Sequence, residues 1–134
     1  MKMIKELAEY IKDELGLVVG SDLIVGPMTE ATQDEAVSID EVAGGRAEFF
    51  LDDQDDVVID MICRAVTRSA ARALAHSLFS HFHQRNAYDL PTLTSGENYH
   101  IIYSKADRTP YYSGQDDRNR SYYLTSITFR VQRY

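Results

Sequence analysis

The sequence predicts an α+β domain: a mainly antiparallel or mixed sheet with two helices packed on one face. Three observations predict it. Residues 2–15 and the Ala-rich stretch after Thr67 carry apolar side chains at helical spacing. Residues 57–66, 99–104 and 121–134 alternate or run apolar with the two-residue period of strands. The resulting order is helix, strands, long strand, helix, strand, loop, strand, which suits a helix-covered sheet better than a repeating βαβ fold. A chain of 134 residues, 44% of them apolar, fits one domain over 1–134 with a modest core.

In chain order, Ile4, Leu7, Ala8, Ile11 and Leu15 define one helical face, and Gly16 is its expected stop. Residues 22–26 form a short strand closed by Gly26 and Pro27. Residues 35–42 alternate weakly, and Gly44-Gly45 marks a turn. In the long strand, Val57, Ile59, Met61, Cys63 and Ala65 make a wholly apolar face. The opposite face, with Asp60 and Arg64, is expected to be only partly buried. Thr67 or Ser69 can cap the second helix, whose buried stripe is Ala71, Leu74, Ala75, Leu78 and Phe82. Asn86 to Pro91 is read as its end. The last strand places Thr125, Ile127, Phe129 and Val131 on one face. It is expected to pair with the 99–104 strand as a hairpin-like unit, with the Pro110–Arg120 loop at one end.

Charge is divided unevenly. Residues 1–60 hold 16 acidic and 4 basic side chains, whereas residues 61–134 hold 5 and 10, for a net charge of −7. The acidic half argues against a dedicated nucleic-acid binder, and two opposite poles suit either a protein that associates with itself or ordinary surface variation. No apolar stretch approaches the about 18 residues that a membrane helix needs. The charged N-terminus lacks the apolar core of a signal peptide, so the expected site of synthesis and residence is a cytoplasm. Cys63 is the single cysteine, set in an apolar run, and is expected to be a buried inert thiol.

Few side chains suggest chemistry. Asp52, Asp53, Asp55 and Asp56 could attract a hard cation, but the run lacks the Gly and distant Glu of a calcium loop and reads as a solvated turn. His76, His81, His83 and His100 do not have the spacing that aims two rings from one helical face at a zinc ion. No catalytic residues, metal ligands or cofactor-binding motif are assigned. A small metal-dependent enzyme using the 52–56 carboxylates stands as the alternative of another class. Metal binding by the purified protein would separate the two.

The C-terminal loop is the most distinctive feature. Residues 110–120, PYYSGQDDRNR, hold Pro110, Gly114, Asp116, Asp117, Arg118 and Arg120 in a near-neutral cluster ahead of the last strand. This loop, followed by an alternating terminal strand, resembles the ending of the minor capsid or tail-completion (tail terminator) family of long-tailed bacteriophages. That family's pattern is a Pro, a Gly, an Asp and then an Arg leading into the last strand. The order of the remaining segments agrees: N-terminal helix, short strand, Gly-Gly turn, long strand ending in Arg64-Ala65, Ala-rich helix and Tyr-rich strand. One departure is Asn119, where the family usually has Gly. Asn tolerates left-handed geometry better than most residues, so position 119 is expected to need a positive φ.

The resemblance implies a non-enzymatic, cofactor-free structural protein with a tail-terminator-like fold. It would form a homohexameric ring on the head-proximal end of the tail tube, assembled in the host cytoplasm and carried in the virion at the head–tail junction. It would stop tube polymerisation and dock onto the head-completion or connector protein. The 110–120 loop would be a contact surface held in shape by Asp116 and Arg120. Its partners would be further copies of itself, the tail tube protein and the connector, with no membrane. DNA would pass through the ring without specific binding, and Asp34, Glu35, Asp52, Asp53, Asp55 and Asp56 are the candidates for lining the bore. Another neck or head-completion protein is the nearer alternative.

Overall fold

The computed structural model of the chain describes residues 3–29, 32–41, 54–92, 98–106 and 108–133. Among these residues the chain forms two helices and one seven-stranded mixed sheet, so the α+β expectation is met. The elements run α1 (Ile4–Leu15), β1 (Leu23–Val25), β2 (Ala36–Glu41), β3 (Gln54–Ala65), α2 (Arg68–Phe82), β4 (Arg85–Asp89), β5 (Tyr99–Ala106), β6 (Tyr111–Gln115) and β7 (Ser121–Arg133). The sheet order is β1-β2-β3-β7-β5-β4, with β6 also paired to β7. The β1–β2 pair is parallel and the other pairs are antiparallel.

The axis of the fold is the β3–β7 ladder, in register from Gln54↔Gln132 to Ala65↔Ser121. Both strands are long and alternate, so one face of the pair is mostly apolar, interrupted by buried Ser121 and Thr125. Ile59, Met61, Cys63 and Ala65 are buried there with Ile127, Phe129 and Val131. The other edge of β7 is shared: β6 pairs with its first half and β5 with its second. The β5–β7 register shifts between Ile101 and Tyr103. That irregularity keeps Tyr99 and Ile101 buried before it and Ser104 and Ala106 buried after it, although the sequence spacing changes parity.

The helices cover this apolar face. Gly16 ends α1 in a left-handed conformation with φ 73°, its amide donating to the Lys12 carbonyl. Thr67 caps α2 by accepting from the Ala70 amide at 3.1 Å, which selects it over Ser69. Ala71, Ala75, Leu78 and Phe82 are buried as expected, and Phe82 meets Phe129 edge-on with centroids 5.4 Å apart. Leu74 is only half-buried, at the margin of the stripe. Leu7 and Ile11 of α1 join the same core. Tyr10 reaches from α1 to His81 and Phe82 on α2 and to Tyr88 on β4.

The structure corrects four expectations. Residues 86–91 are not simply the stop of α2. The helix ends at Phe82, Gln84 turns the chain with φ 58°, and β4 follows on the edge of the sheet. The 110–120 segment is not all loop, because Tyr111–Gln115 forms β6 against β7. The β5–β7 unit is therefore less simple than a hairpin, although the two strands do pair. The face of β3 opposite the core also departs from expectation at one point: Arg64 is 2% exposed. Val58, Asp60 and Ile62 on that face are half-buried, as expected.

Candidate functional site

The C-terminal turn is organised by one carboxylate. After β6 the chain reverses through residues 116–120, closed by backbone bonds between Asp116 and Arg120 and between Asp116 and Asn119. Asp116 Oδ1 accepts from the amides of Arg118 and Arg120, both at 3.0 Å. Its Oδ2 accepts from Arg120 Nε at 2.7 Å and from the Tyr122 hydroxyl at 3.2 Å. Burial alone would raise this carboxyl. The amide and guanidinium of Arg120, with the Arg118 amide, outweigh burial and hold it at about 2. Asn119 has φ 60°, the left-handed geometry expected of the position. Gly114 sits at the β6 irregularity with φ 124°, which only glycine adopts readily.

Two buried arginines extend the turn into the body of the protein. Arg120 is 5% exposed and also donates to Asp34 Oδ1 at 3.3 Å. Arg64, on the neighbouring strand β3, donates from Nη2 to the carbonyls of Thr32 (3.0 Å) and Gln33 (2.6 Å), and from Nε to that of Asp34 (3.3 Å). The two side chains thus fasten the segment ahead of β2 to the terminal turn. The family pattern includes Arg64-Ala65 at the end of the long strand, but nothing in the sequence indicated that Arg64 is buried or what it binds. Its only other signal was a charge in a strand whose neighbours are apolar.

The proposed contact residues divide by exposure. Asp117 and Arg118 are exposed, Gly114 and Asp116 are half-buried, and Pro110 and Arg120 are buried within the chain. Among the described residues the acidic candidates are not gathered in one place. Asp34 and Glu35 precede β2, with Asp34 beside Arg120. Asp56 lies on β3 eight residues from Arg64, about 26 Å along an extended strand, and pairs with Arg130 at 3.2 Å. Asp55 lies at the start of the same strand, and Asp52 and Asp53 fall outside the described residues.

His76, His81, His83 and His100 are all half-buried. His81 bonds the Tyr10 hydroxyl at 2.9 Å, and His83 Nδ1 accepts from the Ala106 amide, tying the end of α2 to β5. Among the described residues, no group of three or more His, Cys, Asp or Glu side chains is placed to hold a metal ion. Burial pushes the Cys63 thiol to about 12, so it stays protonated and inert near neutrality. No helix among the described residues is long and apolar enough to cross a membrane.

Fold and turn together define a small α+β protein whose most elaborate polar structure is an ordered terminal turn clamped to the sheet. The chain belongs to the bacteriophage tail terminator protein family, whose pattern it matches over residues 10–133. Membership gives it a structural role in a phage tail, as a component of the virion tail. No curated protein matches the chain.

Proposed function

We propose that the protein forms a six-membered ring on the head-proximal end of the tail tube, where it stops tube polymerisation and then presents a docking surface to the head connector. The family match over residues 10–133 carries this reading. The clamped turn supports it: Asp117 and Arg118 are held outward on a rigid base, as a contact surface requires. Among the described residues the outer edge of β4 pairs with no further strand and offers surface for neighbouring copies. Head-to-tail contacts of this kind close into a ring when the rotation between copies permits. The acidic residues Asp34, Glu35, Asp52, Asp53, Asp55 and Asp56 face the bore in this reading, so that DNA slides past them. The test is to add the purified protein to polymerising tail tube protein and to measure tube lengths and averaged end views by electron microscopy. Capped, length-arrested tubes with a six-fold end ring are expected. A monomer that neither caps tubes nor slows their growth overturns the proposal.

A further inference from the structure

A groove of about 300 Å³ lies between the α1–β1 connection, the segment ahead of β2, and α2. Leu17, Ala36, Val37 and Leu74 give it apolar walls, and Asp22, Gln33 and Glu35 give it polar ones. Its charge is one-sided, with two carboxylates and no cation among the lining residues. Arg64 and Arg120, which hold the same segment, do not line it, and Arg120 is matched by Asp34 and Asp116. Asp22 Oδ1 accepts from the Val18 amide, and Gln33 Nε2 donates to Ser21 Oγ at 2.7 Å. Glu35 is exposed and, among the described residues, has no hydrogen bond or ion pair. Leu17 is followed by Val18 and Val19, 57% and 40% exposed, so apolar surface continues beyond the groove.

The matching charge stands on another face of the chain. Helix α2 holds no acidic residue, and its outer side carries Ser69, Arg72, Ala73 and His76 around a shallow hollow. Arg72 is exposed and, among the described residues, has no ion pair, hydrogen bond or ring contact. Arg68, by contrast, is stacked on the Tyr112 ring at 4.0 Å. Lys5 on α1 is also exposed, but that helix offsets it with Glu9 one turn on. Arg72 stands in the N-terminal half of α2, towards the end where the helix dipole disfavours positive charge, so helix stability does not explain it. Leu74, two residues on, projects about 200° around the helix from Arg72. Groove and arginine therefore face different ways, as the two unlike surfaces of a head-to-tail contact must. We propose that Arg72 of one copy seats in this groove of the next, with its stem on Leu17 and Leu74 and its guanidinium against Glu35 and Asp22. A long basic side chain buries its stem on apolar surface while its head stays with polar partners. The planar guanidinium suits paired bonds to a carboxylate. Val66, 62% exposed just ahead of α2, adds apolar surface on the arginine side to meet Val18 and Val19. The inference rests on the ring reading and names the contact between its copies. Glu35 then stands at the seam where two copies border the bore.

The experiment compares the parent, Arg72→Glu, Glu35→Arg and an equal mixture of the two variants. It reads the protein concentration at which half of the tail tube ends are capped in electron micrographs, with melting curves as the check on folding. Both positions are exposed, so each variant should melt like the parent. Each variant alone is expected to need about ten-fold more protein, as for loss of a charge-assisted pair. The mixture is expected to cap close to the parent concentration. In a six-membered ring of alternating variants every contact again joins opposite charges, whereas a ring of either variant alone joins like charges. Variants that cap like the parent overturn the contact and leave the ring reading intact. A mixture that caps no better than its components overturns the pairing of Arg72 with Glu35. A parent that caps no tubes overturns the ring reading and the contact together.

Discussion

Asp116 shows how much of the terminal turn depends on one side chain. Its carboxylate joins two amides, one guanidinium and one hydroxyl. The folded group sits at about 2 against an ordinary value of 3.8. A depressed carboxyl contributes stability above its unfolded pKa and loses it as pH falls through the folded value. The thermal stability advantage of the parent over Asp116→Asn should therefore be full near neutrality and shrink between about pH 4 and pH 2. A pH-independent difference between the two melting curves would show that the charge is not what the turn uses. Asn119 makes a complementary case. With φ 60° it occupies a conformation that glycine adopts without steric cost. Asn119→Gly is expected to leave stability unchanged or raise it by up to about 1 kcal/mol in chemical denaturation.

At the scale of elements, α2 is positioned by a cap at one end and a packed stripe along its length. Leu78 is 1% exposed beneath it, so Leu78→Ala is expected to cost about 2–5 kcal/mol by the cavity it leaves. Thr67→Ala removes the bond to the Ala70 amide and should cost about 1 kcal/mol. A Leu78→Ala protein that melts like the parent would contradict the packing of α2 on the sheet. The β3–β7 ladder carries the polar clamp as well as the core. Arg64 faces away from the apolar side yet is buried, because the segment ahead of β2 folds over it.

For the molecule as a whole, the question is what a ring would present to DNA. Phosphate contacts from Lys and Arg supply most non-specific affinity, and an acidic lining repels the backbone. No gel shift of duplex DNA at physiological salt is therefore expected. Salt-sensitive binding at micromolar protein would count against the acidic bore. So would a ring with Arg64, Arg68, Arg72 or Arg118 on its inner rim. The structure sharpens this test, since Asp34 adjoins Arg120 and Asp56 is paired with Arg130. The acidic and basic halves of the sequence thus meet side by side in the fold.

Periodicity was enough to read the helices, the long strand and the last strand from the sequence, because each buries one face over many residues and its spacing repeats. The left-handed turn at Asn119 was legible because few residue types tolerate that geometry. The Asp116–Arg120 clamp was legible as a cluster four residues apart. The strands β4 and β6 were not legible. Each is five residues long, largely polar, and exists because a neighbouring strand offers an unpaired edge. Nor could sequence alone reveal the buried role of Arg64. Its partners, the carbonyls of residues 32–34, lie about thirty positions away and carry no side-chain signature. Local spacing determined the elements and the turn. Only the pairing of distant strands decided which charges became buried beside the turn.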